Sequence, residues 1–390
     1  MWHRLPPAGN RISLACGTGS ACDIETLFSP YRLSFYQSGT AALAAAVTAA
    51  IVRRPTTAPE VLLPAYGCPD LVSAVLCAGA KPVLVDLVAN TPWLDLALVQ
   101  EKINERTVAV IAVNFLGIDE RMSGLRVLAD AADIILIEDS AQCLYEPTNG
   151  PPMRGDFILQ SFGRGKPVSL LGGGALLWRD PSLGSRLPHA EVGLTSNLVS
   201  RIVNRLKIIL YNILLTPHIY GLMERVSILH IGETRFKPLE RIQPENAVSV
   251  PCLRVNIESF RRNQRNAQQW IRVMLNDLCL DEIVDLTCLN TQLEQSRFLR
   301  YPILVADSEL RERLYAALRS AGLGVSKMYP ATLPEIPGLT DILRSQERFP
   351  RAEIFAESIL TLPTHENVSR RHVAEMGKII LSLCVKHVVH

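Results

Sequence analysis

No C-x-x-C pair occurs among the nine cysteines. Their odd number and scatter argue against a disulfide framework or a zinc ribbon. No apolar run approaches the 18 or more residues of a membrane-spanning helix. Neither sign of charge dominates: 40 Lys and Arg stand against 38 Asp and Glu, whereas a nucleic-acid binder carries a strong basic surplus. The opening Met1-Trp-His-Arg-Leu-Pro-Pro7 lacks the apolar stretch of a secretory leader, so a reducing, cytoplasmic location is expected. The eight histidines show no metal-ligand spacing, and no metal is expected. What is present is 390 residues, 48% hydrophobic, with 25 Pro and 23 Gly dispersed. That is too apolar for a disordered chain and long enough for two or three domains.

Between Leu33 and Trp178 short apolar runs alternate with helix-length stretches. The runs predict strands at 61–64, 82–86, 107–113, 133–139, 157–161 and 173–178. The stretches predict helices at 39–53, 69–79, 94–104 and 121–131. Continuous Val/Ile/Leu strands fit a sheet covered on both faces, and the alternation argues an α/β layer fold. The last two strands have no helix between them, which points to an antiparallel member. After residue 183 the texture changes. A helical segment rich in long apolar side chains is followed by a helix at about 256–277, a strand at 298–305 and a helix at 308–321. A strand at 324–328 and a final helix from about 370 to 383 complete a smaller α+β unit. The expected division is 1–182, a large α/β domain, 183–240, a helical linking segment, and 241–390, a small domain.

Four features of the large domain bear on chemistry. Gln37-Ser-Gly-Thr40 opens an Ala-rich helix, where free N–H groups, hydroxyls and the positive dipole end suit a phosphate. The same residues also make an ordinary helix cap. Glu138-Asp-Ser-Ala-Gln142 ends an apolar strand, at the edge where α/β folds bind ligands. Ser161-Phe-Gly-Arg-Gly-Lys166 follows another strand, and a lysine held in such a Gly-flanked loop is a candidate nucleophilic amine. Gly172-Gly-Gly174 implies open dihedral space or a close approach. An anion cradle, a carboxylate, a hydroxyl and an amine at strand ends of one domain are the groups that pyridoxal phosphate requires.

In this order these residues resemble the DegT/DnrJ/EryC1/StrS family of sugar aminotransferases. The passages that carry the resemblance are Ser38-Gly-Thr-Ala-Ala-Leu43, Gly79-Ala-Lys-Pro-Val-Leu-Val-Asp86, Ile137-Glu-Asp-Ser-Ala-Gln142, Ser161-Phe162 with Lys166 and Gly172-Gly-Gly-Ala-Leu176, and Leu360-Thr-Leu-Pro-Thr-His365. The resemblance implies the type I fold of pyridoxal-phosphate enzymes, with a mostly parallel seven-stranded sheet between helices and a smaller C-terminal domain. It also implies a homodimer with its sites at the subunit interface. Lys166 would bind the cofactor's aldehyde and shuttle protons, and Asp139 would pair with the ring nitrogen. Gln142 would reach the ring oxygen, and Ser38, Gly39, Thr40 and Ser161 would hold the phosphate. Relatives with His in place of this lysine are dehydratases, so Lys166 points to transamination. The implied reaction carries an amino group, by resemblance from glutamate, to a nucleotide-linked keto sugar in surface-polysaccharide or glycan biosynthesis.

Three positions depart from the family's pattern. Cys68, in Pro64-Ala-Tyr-Gly-Cys68, stands where an aromatic ring stacks on the cofactor. Leu239-Glu-Arg-Ile242 lacks the Asn that reaches the partner's phosphate. Asn114-Phe-Leu-Gly117 replaces a His-x-x-Gly segment. Within 197–235, Ile202, Leu206, Ile209, Leu210, Ile213 and Leu214 share one helical face, opposite Arg201, Asn204, Arg205 and Asn212. That stripe is expected either to pack on the large domain or on the dimer partner, the reading preferred from sequence, or to lie in a membrane interface. Two other functions stand beside the leading one: a pyridoxal-phosphate enzyme of another reaction type, or a non-catalytic, membrane-associated relative in polysaccharide assembly.

Overall fold

Successive residues of the central strands send apolar side chains to opposite faces, and each face has its own helices. A computed structural model of the chain describes residues 3–15, 21–145, 155–188, 198–223, 234–243, 250–262, 266–290, 296–343 and 347–388. Seven strands form the large sheet: β1 (Arg32–Tyr36), β2 (Glu60–Pro64), β3 (Lys81–Val85), β4 (Thr107–Val113), β5 (Ile135–Asp139), β6 (Phe157–Ser161) and β7 (Gly174–Trp178). Their spatial order is β1-β7-β6-β5-β4-β2-β3. β7 pairs antiparallel with both β1 and β6, and the other pairings are parallel. The antiparallel member anticipated from the helix-free step between the last two strands is therefore β7.

Val61, Leu63, Ala109, Ile111, Ile135 and Ile137 share a core with the helices Gly39–Arg53 and Asp70–Cys77. Leu62, Val110, Ala112 and Leu136 face the other way, onto Val99 of the helix Leu96–Lys102 and onto Leu125 and Ala129 of Met122–Ala132. The run of alanines in Gly39–Arg53 is buried nearly throughout, and small side chains let this helix lie close to the sheet and to its neighbour. Beyond β1 and β7, a third cluster brings in Cys252, Leu253 and Ile257 of the helix Val250–Arg262.

A second sheet, ordered β10-β9-β8, comprises β8 (Ile283–Asp285), β9 (Arg300–Val305) and β10 (Ile359–Pro363), all antiparallel. Its core takes residues from the helices Asn266–Leu278, Ser308–Ser320 and Arg370–Val388, together with Leu5 from the start of the chain.

The sequence reading differs from the structure at several points here. The single helix at 256–277 is two, Val250–Arg262 and Asn266–Leu278. The strand at 324–328 is reduced to one bridge, Ser326 with Thr361. Gly324 (φ +68°) and Met328 (φ +61°) both leave extended backbone, and a Cβ on Gly324 would stand 2.9 Å from the Pro6 carbonyl oxygen. β1, β8, β10 and the helices Ala21–Phe28, Pro217–Met223 and Pro350–Ser358 were not anticipated.

The start of the chain is fastened to the second sheet. His365 Nδ1 accepts from the Asn367 N–H, leaving Nε2–H to donate to Pro6 O at 2.8 Å. Burial is the main reason the imidazole pKa falls from 6.5 to about 4, because it disfavours the charged form of the ring. Between those values the unfolded chain binds more protons than the folded one, so this group's contribution to stability is lost as pH falls from about 6.5 to about 4. Relative to His365→Gln, the wild type should lose up to about 1.4 kcal/mol per pH unit across that window. Parallel denaturation curves of the two proteins would contradict this.

Candidate active site

β1 to β6 all run the same way, and β7 enters from the edge where they end. The segments after β1, β2, β4, β5 and β6, and the glycines before β7, therefore collect at one edge of the sheet. Ser38, Gly39, Thr40, Cys68, Asp139, Gln142, Ser161 and Lys166 all belong to these segments.

The tightest contact there is made by glycines. A Cβ on Gly39 would come within 2.7 Å of both Cβ and Oγ of Ser161. One on Gly174 would lie 2.5 Å from the Ser38 carbonyl oxygen. A bridge from Ser38 to Gly173 completes the junction. Ser38 is a true helix cap, its Oγ accepting from Ala41 N at 3.1 Å. The hydroxyls of Thr40 and Ser161 have no partner among the described residues. The space that a Cβ would fill, two uncommitted hydroxyls and a helix N-terminus suit the phosphate of pyridoxal phosphate.

Asp139 is buried at the end of β5, and Oδ1 accepts from Ala141 N at 2.9 Å. Oδ2 accepts nothing from the described residues. Burial pushes this carboxyl above its ordinary pKa, while the Ala141 N–H and the nearby Lys166 ammonium pull it down. Lys166 sits in the loop closed by the Leu170 N to Phe162 O bond of 2.8 Å. Its amine makes no hydrogen bond or ion pair with the described residues. A carboxylate with one free oxygen beside an uncommitted amine suits the ring nitrogen and the aldehyde of the same cofactor.

Cys68 lies between these groups. Burial, with the neighbouring Asp70 charge, pushes its thiol up to about 12 against the pull of Lys166, so it remains a neutral thiol at pH 7. Tyr66 does not take the place of the missing ring. It packs edge-on against Phe355 and Tyr329 and tilted against Phe115, so its ring is committed to an aromatic cluster. Gln142 is engaged at both ends of its amide: Oε1 accepts from Leu116 N at 2.7 Å and Nε2 donates to Tyr329 Oη at 2.8 Å. One N–H of Nε2 is left for a ring oxygen.

Tyr329 was missed in the sequence, where Lys327-Met-Tyr-Pro330 carries no motif. Asn114 has become the centre of a buried network, donating to Glu138 Oε1 (3.0 Å) and Ser140 Oγ (2.9 Å) while accepting from Glu120 N. Residues 237–243 lie on this chain's own large sheet unit, with Gln37 bonded to Arg241 O and to Gln243 N, and Ser73 Oγ to Leu239 N.

The helix Leu198–Leu214 reaches the site from outside, with Tyr211 against Gly165 and Ser169 of the lysine loop. Ile208 is buried, whereas Val199, Ile202, Val203, Leu206, Ile209, Leu210 and Ile213 are 40–67% exposed. The stripe therefore does not pack on the large domain of its own chain. Residues 224–233, the later part of the anticipated segment, lie outside the described residues.

Comparison with known proteins places this geometry. A curated relative, the UDP-2-acetamido-2-deoxy-3-oxo-D-glucuronate aminotransferase of Pseudomonas aeruginosa, is 24% identical over 309 residues, 78% of this chain and 74% of that protein. The solved structure of Helicobacter pylori PseC, an aminotransferase involved in the biosynthesis of pseudoaminic acid, superposes with TM-score 0.71 at 14% identity, covering 99% of each chain. That of Bacillus subtilis NtdA with bound cofactor PMP has TM-score 0.66 at 16% identity, covering 96% of this chain and 78% of that one. Residues 34–192 and 251–381 match the model of one family, and this protein belongs to it: the DegT/DnrJ/EryC1/StrS aminotransferase family.

Proposed function

We propose that this protein is a pyridoxal-phosphate-dependent aminotransferase that moves an amino group from glutamate to the carbonyl of a nucleotide-linked keto sugar, in surface-polysaccharide or glycan biosynthesis. The observation that carries the reading is the shared sheet edge, where an uncommitted Lys166 amine and the free Oδ2 of Asp139 meet the Gly39–Ser161 cradle. The Pseudomonas relative supplies the substrate class. When bound, the cofactor supplies an aldehyde carbon that accepts an amine and a ring that takes up the electron pair left by a departing Cα proton.

The protein's own groups do the rest. Lys166 Nζ would bind the aldehyde and, once released as a free amine, would accept the donor's Cα proton and deliver it to the carbon that receives nitrogen. Asp139 Oδ2 keeps a proton on the ring nitrogen, so that the ring can accept electrons. The hydroxyls of Thr40 and Ser161, with the Gly39 backbone and the Ser38-capped helix end, anchor the phosphate. Gln142 would orient the ring through its oxygen, and Cys68 would face the ring where the family pattern has an aromatic side chain. Addition of a water would release the donor as its keto acid, and the sugar ketone would take the amine by the reverse sequence, with loss of a water.

The enzyme would act as a cytoplasmic homodimer, in line with the resemblance. Residues 1–182 form the cofactor unit, 183–240 the link and 241–390 the smaller unit, with Leu5 lent to the small core and the helix Val250–Arg262 packed back on the large one. A second reading concerns its place of work, and the outward stripe of Leu198–Leu214 favours it. At 3.6 residues per turn the exposed aliphatic residues lie opposite buried Ile208, so the apolar face looks away from the protein. Arg205 and Lys207 flank the stripe, Arg201 adds a third positive charge, and no acidic residue falls between Leu198 and Met223. Two copies meeting through this face would oppose like charges, whereas an anionic lipid surface complements it. Each aliphatic side chain buried there is worth about 1.5–3 kcal/mol.

Lys166→Ala should remove both the visible absorbance of the lysine-bound cofactor and transamination while circular dichroism stays unchanged; turnover in that variant would sink the assignment. Asp139→Asn should lose orders of magnitude in rate at nearly unchanged thermal stability, and wild-type turnover would give the ring-nitrogen role to another group. Gly39→Ala should weaken cofactor retention on dialysis by displacing Ser161. For the surface, the wild type should co-sediment with vesicles containing anionic lipid, and Leu206→Asp/Leu210→Asp should not. Equal sedimentation of the two proteins would remove the membrane reading.

A further inference from the structure

Asn114 follows the last residue of β4, and the register of Val113 with Asp139 sets it beside the end of β5. Its backbone N–H donates to Asp139 O at 3.0 Å. Its side chain is buried and spends both amide hydrogens on the residues that flank Asp139. Nδ2 donates to Glu138 Oε1 at 3.0 Å and to Ser140 Oγ at 2.9 Å. Oδ1 accepts from Glu120 N at 3.0 Å. The amide therefore sits only one way round, since the reverse would turn its oxygen on the Glu138 carboxylate.

Alternation along β5 sends Glu138 to the face of Leu136 and Asp139 to the face of Ile135 and Ile137. Asn114 thus grips the strand end from behind the carboxyl and has no hydrogen left for a ligand. The regular pairing of β5 with β4 and with β6 stops at Asp139, and past it the Ser140 N to Leu159 O bond of 3.0 Å continues the pattern. Strand ends held by few backbone bonds open most readily, and a carboxyl carried there turns with them. The residue type also matters. A neutral imidazole offers one donor and one acceptor, and a charged one offers two donors and no acceptor. Only the amide, standing where the family pattern has histidine, meets Glu138, Ser140 and the Glu120 N–H at once.

We propose that Asn114 is the positioning residue for Asp139, fixing the strand end so that Oδ2 is presented to the ring nitrogen of the cofactor. This rests on the aminotransferase reading and names the group that aims its carboxylate. Asp139 Oδ1 is held by Ala141 N at 2.9 Å, while Oδ2 accepts nothing from the described residues. The pairing with a ring nitrogen therefore depends on where that one oxygen points. A charge-assisted hydrogen bond is strong but weakens steeply as it is bent, so a small rotation of the strand end is felt at the ring.

The test compares pyridoxal phosphate with 1-deazapyridoxal phosphate, which has a C–H in place of the ring nitrogen and cannot pair with Asp139. Each is titrated into the full-length chain freed of cofactor. Asn114→Ala should raise the Kd of pyridoxal phosphate about tenfold and leave that of the deaza analogue unchanged, whereas a purely structural role would weaken both alike. In the holoenzyme kcat should fall while the KM for the donor stays nearly constant. Ser140→Ala removes one of the two flanking anchors and no charge. It should shift the pyridoxal phosphate Kd in the same direction by a smaller factor, and it decides the matter if Asn114→Ala does not fold. Equal losses for the two cofactors, or an unchanged pyridoxal phosphate Kd, would overturn the proposal. Asp139→Asn separates the two readings, because it should abolish the preference for pyridoxal phosphate over the analogue. If it does so while the Asn114 and Ser140 variants keep that preference in full, only the role of Asn114 fails. If the wild type binds neither cofactor, or shows no preference between them, the underlying reading of the site fails.

Discussion

The site depends on three stretches of backbone approaching more closely than any side chain allows. Residues 38–39, Ser161 and residues 173–174 meet where β1, β6 and β7 come together, and a methyl group at Gly39 or Gly174 would overlap its neighbour. The antiparallel insertion of β7 between β1 and β6 makes this possible. It brings a strand's beginning to the edge where its neighbours end. A helix N-terminus, a serine hydroxyl and the base of the lysine loop are thereby fixed relative to one another by sheet hydrogen bonds rather than by mobile side chains. An anion held there needs no reorganisation of the protein, which is the physical advantage of a backbone cradle.

The small unit is tied to that edge by polar contacts that bypass the sheet. Asp86, at the end of β3, accepts from Ala352 N at 2.8 Å and Arg351 N at 3.2 Å, and so caps the helix Pro350–Ser358 of the other unit. The turn 114–119 does the same after β4. Leu116 O accepts from Leu299 N, Gly117 O from Asn290 Nδ2, and Asn290 Oδ1 from Asp119 N. Gly117, with φ +100°, lies so near Arg297 that a Cβ would stand 2.6 Å from its carbonyl oxygen. Gln142 and Tyr329 form the third tie, and it is the one that touches the site. Removing the Tyr329 hydroxyl would therefore free the Nε2 end of Gln142 and loosen the junction together, which couples the site's surroundings to the docking of the small unit.

Much of the large unit was legible because its code is local. Apolar runs of strand length, the alanine helix and the glycine-flanked lysine each announce a structure from neighbouring residues, and strand direction then carries Ser38, Asp139 and Ser161 to one edge. The roles of Asp86 and Asn114 were not legible, since each depends on partners far away in sequence. Tyr329 was invisible for a further reason: an unremarkable Tyr acquires meaning only from what surrounds it, here the Gln142 amide. β10 was concealed by its own sequence, because Ile359-Leu-Thr-Leu-Pro363 ends in a proline that reads as a break, yet the proline stands on an outer strand at its end, where a missing N–H costs little.

The helix Leu198–Leu214 shows where periodicity stops short. Its amphipathic pattern gives two faces but not which of them meets the protein, and the usual assumption is that the apolar one does. Here Asn212 decides otherwise. Its amide exchanges hydrogen bonds with both the N–H and the C=O of Ile12, at 2.9 and 2.8 Å, and Tyr211 lies on the lysine loop. Two specific polar contacts on one side, with Ile208 as the buried anchor, orient the helix and leave the aliphatic side facing outward. Such an orientation sacrifices apolar burial within the chain, and the part-buried bonds of Asn212 with the buried Ile208 offset that loss. A helix held by its polar face beside a catalytic loop is mechanically connected to that loop, so whatever covers the aliphatic face bears directly on the segment that carries Lys166.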